Sequence, residues 1–234
     1  MQEMTQLSIS PESQRRLAKV AAYVKECLEA DAAQFQVDRP WLEYRWSHTL
    51  RVANIGYKLA LVENASIELS VAGCLLHDIA SFRPEDPEDI YGHGRVGAQL
   101  IRPELPNLGY SPDEVENICY SVAAHADGNA GYDFPETIES KVVSDADNID
   151  RFDAYRLLEY CQPHMRDFEK LVAAVGQRLT RLESYRGQRI METDHGHELF
   201  NQKLDMQIMV YKALIEQHRI SSLDTLPGFS GEGE

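Results

Sequence analysis

The chain has 234 residues, with 38 Asp and Glu against 23 Lys and Arg, giving a net charge of −15. That balance repels a nucleic-acid backbone and excludes duplex binding; the acidity reads mainly as a solvated surface, which also suits divalent cations. No apolar run approaches the about 18 residues a membrane span needs, and the opening Met-Gln-Glu-Met-Thr-Gln lacks a basic segment followed by an apolar one, so neither membrane insertion nor secretion is expected and a cytoplasmic location follows.

Helical periodicity dominates and alternating strands bounded by hairpin turns are missing, which predicts an all-α fold. Ser10-Pro11-Glu12 caps a first helix reaching about Phe35, and Asp38-Arg39-Pro40 opens a second that ends near Glu63. Residues 64–66 turn into a third helix over 67–79. The acidic, proline-broken stretch 83–89 has the composition of a loop that covers an active site. Further helices are predicted over 92–101, 112–126, 135–160, 163–190 and 197–219, with 221–234 a flexible polar tail. Cys27, Cys74, Cys119 and Cys161 stand far apart with no Cys-x-x-Cys pair and read as reduced core residues.

Three helices carry a polar residue where the core should be. His48, Val52, Ile55 and Leu59 follow at steps of four, three and four, so the imidazole shares an apolar stripe. Val115, Ile118, Val122 and His125 repeat the pattern. Val71, Cys74, Leu75 and Asp78 place a carboxylate where a leucine is expected, and a buried carboxylate is costly unless a cation or partner compensates it. Adjacent helical residues point about 100° apart. His77 and Asp78 therefore serve one site only if an ion lies between them or if Asp78 bridges two. Mixed imidazole and carboxylate ligands suit a divalent transition metal (manganese, iron, zinc, cobalt or nickel), suit magnesium less, and do not suit calcium.

With the acidic run Ser144-Asp145-Ala146-Asp147-Asn148, these residues resemble the H...HD...D pattern of the HD superfamily of metal-dependent phosphohydrolases. The likeness extends to Trp46-Ser47-His48-Thr49-Leu50-Arg51-Val52 and Leu75-Leu76-His77-Asp78-Ile79-Ala80, and covers residues 41–160. It implies a helical bundle in which His48, His77, Asp78 and a later Asp hold a metal whose bound water attacks a phosphate ester. Asp145 and Asp147 both fit the last place; the family's Ala-Asp-x-[Leu/Ile] pattern matches Ala146-Asp147-Asn148-Ile149 and favours Asp147. Asp145 and Asp150 would then orient a ligand or relay a proton. His93 resembles an additional histidine of some members, and with His125 it would complete a second position bridged by Asp78. Otherwise His93 only caps a glycine-rich helix.

Arg51 and Arg45, three residues either side of His48, are candidates to hold a substrate phosphate, as are Lys141 and Arg151; surface salt bridges are the competing role. Gly92-x-Gly94-x-x-Gly97 mimics a dinucleotide fingerprint, but no strand precedes it. His164, His195, His197 and His218 read as surface residues.

The expected function is hydrolysis of a phosphate ester or anhydride of a small molecule, a nucleotide or phosphorylated metabolite. One or two metal ions would be held by His48, His77, Asp78, His93, His125 and Asp147, with Asp78, Asp145, Arg51 and Lys141 as catalytic candidates. Two other readings stay open: a di-iron oxygenase of the same fold, and a non-catalytic nucleotide-binding regulator. The expected organisation is a single domain: an N-terminal helix over 1–40, the metal-binding core over 41–160 and a helical extension over 161–220. The extension either covers the pocket or forms a homodimer interface.

Overall fold

The computed structural model describes residues 9–83, 92–127 and 134–227, and among these every regular element is a helix. Beyond Arg83, the expected covering loop lies outside the described residues.

The first three helices begin where the sequence supplies a cap. Ser10 Oγ accepts the Ser13 N–H at 3.0 Å ahead of α1 (Pro11–Gln34), and Asp38 accepts the Trp41 N–H at 2.9 Å ahead of α2 (Arg39–Val62). Ser66 does the same for Leu69 at 3.4 Å ahead of α3 (Ile67–Leu76). Both α1 and α2 stop by reversing. Gln36 (φ 57°) and Asn64 (φ 55°) turn left-handed, and the N–H groups of Val37 and Ala65 then return to the carbonyls of Ala32 and Ala60 at 2.9 and 3.1 Å. The resulting turns are short, so α1, α2 and α3 pack on one another.

The centre of this packing is α3. It is buried on every side from Ser70 to Leu76, and it touches α1, α2, α5 (Pro112–Asp127) and α6 (Ile138–Asp150). Against α5 lies α4 (His93–Ile101), whose glycines allow a close approach. A Cβ on Gly94 would stand 2.8 Å from the carbonyl oxygens of Val122 and Ala123, and one on Gly97 would stand 3.3 Å from Ile79 and Val122 side chains. The Gly-x-Gly-x-x-Gly run is therefore a packing seam that brings His93 to α5.

The last helix starts at Asp194 rather than 197, and three other boundaries differ from the sequence expectation for a local reason. The third helix stops at Leu76, and the chain continues in tight i→i+3 turns: Ile79 N–H to Leu76 O at 3.1 Å, then Ser81 N–H to Asp78 O at 3.0 Å. The single helix expected over 135–160 is two, because Asp153 Oδ1 accepts the Ala154 N–H at 2.7 Å and starts α7 (Ala154–Cys161) afresh. The helix expected over 163–190 shortens to α8 (Phe168–Ser184), capped by Asp167 and followed by left-handed Gly187 (φ 74°).

The chain divides into two compact units. One comprises α1 to α6 with Met191–Gly196; the other runs from Arg151 to Ile190 and resumes at His197. In the second, Phe152 packs edge-on against Phe200 at 4.7 Å, over a core that includes Leu157, Val175, Leu182 and Leu204. All four cysteines are free thiols, and Cys74, Cys119 and Cys161 are buried. Among the described residues no helix is long and apolar enough to cross a membrane.

Candidate metal centre

Five segments of the first unit deliver side chains to one point: His48 from the middle of α2, His77 and Asp78 from the turn after α3, His93 from the start of α4, His125 from the last turn of α5, and Asp147 from α6. All are buried except His93, which is 18% exposed. His48 Nε2 lies 3.2 Å from His77 Nε2, 3.5 Å from Asp78 Oδ2 and 3.3 Å from Asp147 Oδ1. His77 Nε2 lies 3.3 Å from Asp78 Oδ2 and 3.8 Å from Asp147 Oδ1. The other oxygen of Asp78, Oδ1, is 3.4 Å from His93 Nε2 and 4.0 Å from His125 Nε2. One carboxylate thus faces two groups of imidazole nitrogens.

The ring orientations have identifiable causes. His77 Nδ1 donates to the Cys74 carbonyl at 2.7 Å, and His125 Nδ1 donates to the Val122 carbonyl at 2.6 Å. A carbonyl only accepts, so each Nδ1 carries a hydrogen and each Nε2 is turned into the cluster. His48 is held the same way, with Nδ1 2.8 Å from Asp150 Oδ2. Gly56 keeps α2 and α3 close, since a Cβ there would meet Cys74 Sγ.

The donors fit a divalent transition metal. Ligand atoms about 2.0–2.2 Å from a common ion stand about 3.3–3.6 Å apart in a tetrahedron and about 2.8–3.1 Å apart at cis octahedral positions. The edges of the first group, 3.2 to 3.8 Å, are of that size. His125 Nε2 adds a second sign: it is buried and has no hydrogen-bond partner among the described residues. The electrostatics agree. Burial, with His77 and His93 close by, pushes the His125 pKa down to about 3, so its ring is neutral. Burial alone would lower the His48 pKa too, but hydrogen bonds to Asp147, Asp150 and Asp78 lift it to about 10. Against the upward push of burial, His77, Arg45 and His48 hold the Asp78 carboxyl well below the usual range.

The remaining candidates are placed around this group. Arg51 closes its fork on Asp150, Nε to Oδ1 at 2.7 Å and Nη2 to Oδ2 at 3.0 Å, and so braces the residue that orients His48. Arg45 Nη1 pairs directly with Asp78 Oδ2. Asp145, two residues from Asp147 and so on another face of α6, turns away from the cluster. It accepts the Glu192 and Thr193 N–H groups, each at 2.8 Å, and the Thr193 hydroxyl at 2.7 Å. Lys141, on α6, makes no ion pair with the cluster among the described residues. Sequence spacing gave no sign of the Arg45–Asp78 pair or of the Met191–Gly196 segment that occupies Asp145. Residues 194–197 form no ligand group among the described residues; His195 instead donates its N–H to Glu63 at 2.8 Å.

Fold and cluster together define an all-α protein with a mixed histidine and aspartate centre. Residues 45–151 match the family model of the HD domain. Among solved structures it is similar to Bacillus subtilis YpgQ in complex with ADP, at 18% identity over 94% of this chain and 100% of that one, TM-score 0.60. It is also similar to an HD-superfamily hydrolase from Bacillus thuringiensis, at 17% identity over 90% and 100% of the two chains, TM-score 0.60. A predicted HD superfamily hydrolase from an uncultured Thermotogales bacterium matches at 18% identity over 84% and 92%, TM-score 0.57. At these identities the likeness is one of fold. No curated protein matches the sequence.

Proposed function

We propose that the chain is a metal-dependent phosphohydrolase acting on a phosphate ester or anhydride of a small molecule. The observation that carries this reading is the placement of Asp78: its Oδ2 faces His48 and His77, and its Oδ1 faces His93 and His125. His48, His77, Asp78 and Asp147 would hold one divalent ion, and Asp78, His93 and His125 a second. Manganese, iron, zinc, cobalt and nickel suit these donors better than magnesium. Such ions, when bound, lower the pKa of a water molecule and neutralise charge that builds on a phosphoryl group.

The chain's own residues supply the rest. His48, His77 and His125 turn Nε2 into the cluster with Nδ1 held behind, so no ring has to reorient once His48 gives up its proton. Arg45, beside Asp78 with its side chain 17% exposed, offers guanidinium donors to a phosphate oxygen. The ADP bound to YpgQ supports a nucleotide or nucleotide-like substrate. Elemental analysis of protein purified without chelator, paired with a phosphatase panel on wild type and the His77→Ala/Asp78→Ala double variant, tests this. Phosphate release retained by the double variant would overturn it.

A second reading has one observation in its favour: four of the six grouped donors are imidazoles, a nitrogen-rich set that also suits a di-iron oxygenase. Iron-dependent oxygen consumption without phosphate release would move the assignment there. Phosphate release under strict anaerobiosis would remove it.

A further inference from the structure

We propose that Arg45 couples the binding of a cation at the His48–His77–Asp78–Asp147 group to the binding of a tetrahedral oxyanion. Cation and guanidinium compete for Asp78 Oδ2, and the oxyanion relieves that competition by taking the guanidinium. This deepens the phosphohydrolase reading and rests on it for the identity of the oxyanion as a phosphate.

Three features of Arg45 carry the inference. First, its Nη1 pairs with Asp78 Oδ2, the same oxygen that lies 3.5 Å from His48 Nε2 and 3.3 Å from His77 Nε2. A divalent ion among those atoms would sit within a few ångströms of a guanidinium charge. Asp78 is only 5% exposed, so the repulsion is weakly screened. Second, Arg45 Nε is buried and has no hydrogen-bond partner among the described residues, which leaves a donor for a further acceptor beside the carboxylate. Third, in the same pose that pairs with Asp78 the side chain also lies beside an exposed aromatic ring. Its guanidinium carbon is 5.9 Å from the centre of the Trp41 ring, one helical turn back and 43% exposed. Arg51, the other guanidinium near His48, is fully engaged with Asp150 and cannot play this part.

The thermodynamic consequence is reciprocal. An anion that draws Arg45 from Asp78 must tighten the cation by the same factor by which the cation tightens the anion. A uniform electrostatic attraction between bound cation and bound anion would also couple the two, but it would not depend on Arg45.

Manganese binding is measured by electron paramagnetic resonance of the free ion, with and without sulfate at fixed ionic strength. Sulfate serves as a tetrahedral dianion that keeps manganese soluble. Wild type should bind manganese on the order of tenfold tighter with sulfate. Arg45→Gln should bind it on the order of tenfold tighter than wild type without sulfate and gain less than about twofold from the anion. Arg45→Lys keeps the charge without the fork and should fall between, which preserves the test if the glutamine variant is unstable. Arg45→Gln that binds manganese no tighter than wild type, or that retains the full sulfate effect, overturns the coupling. The same titration of His77→Ala/Asp78→Ala separates the two readings: if that variant loses manganese while Arg45→Gln behaves as wild type, the metal centre stands and the coupling falls.

Discussion

The Nε2 atoms of His48 and His77 face each other across 3.2 Å, while the Nδ1 atom of each ring is engaged behind it, by Asp150 and by the Cys74 carbonyl. Two lone pairs cannot face each other at that distance without something positive between them. In the metal-free chain a proton on His48 supplies it, because hydrogen bonds to the surrounding carboxylates outweigh burial and lift the His48 pKa to about 10.

A cation must displace that proton. At pH values below about 10 the apparent affinity for manganese should rise about tenfold per pH unit, one proton being released for each ion bound at the first group. Stability of the metal-free chain should run the other way. The His48 pKa is raised from 6.5, so its contribution is full below about 6.5 and is lost as the pH climbs through about 10. Calorimetric titration in two buffers of different ionisation enthalpy checks the proton count. An affinity that stays flat across neutral pH would contradict it.

Asp150 holds His48 by its Nδ1 and is itself held by Arg51. Asp150→Asn should keep the fold and weaken manganese binding about 10- to 100-fold, the usual cost of losing the partner that orients a ligand. Equilibrium dialysis gives the affinity, and circular dichroism monitors the fold.

His93 faces Oδ1 of Asp78, the oxygen it shares with His125, rather than the Oδ2 that faces His48 and His77. His93→Ala should lower the metal content from two ions per chain to one. Mass-spectrometric metal counting decides, and a wild type holding one ion that His93→Ala leaves in place would eliminate the second position.

Gly94 sits against two backbone carbonyls that cannot move aside independently. Gly94→Ala should destabilise the chain by about 1–3 kcal/mol through overpacking, and should also weaken the second ion by lifting His93 from α5. Thermal melts with and without manganese separate these effects. Serine is expected to be no better tolerated.

Asp145 accepts three donors from Glu192 and Thr193, and Gly196 leaves it the room, since a Cβ there would meet Asp145 Oδ2. Asp145→Ala should cost about 2–4 kcal/mol of stability while leaving the number of bound ions unchanged. Chemical denaturation beside metal counting tests both halves.

The helical class and the caps at Ser10 and Asp38 were legible because they depend on neighbours three residues away. The inward direction of His48 and His125 was legible because a 3.6-residue period reports which face of a helix is apolar. What the period cannot report is the partner. Asp145 meets Thr193 across 48 positions and Arg51 meets Asp150 across 99, and neither helix stripe indicates which distant segment arrives. The break at Asp153 was missed because apolar spacing continues through residues 150–157 while a side-chain cap competes locally for the Ala154 N–H. The tightening after Leu76 was missed for a similar reason: helical dihedrals persist at His77, and only the hydrogen bonds change step.

The order of the ligands along the chain bears on when a metal can be acquired. His48 and Asp147 belong to one group but stand about a hundred residues apart, and closing that loop needs α2, α3 and α6 already docked. A chain growing on the ribosome therefore has no complete cation group until α6 has emerged, by which time most of the first unit has been synthesised. A metal held by that group would then be selected by a folded protein from the ions around it, and so by the composition of that pool rather than by which ion meets the nascent chain first.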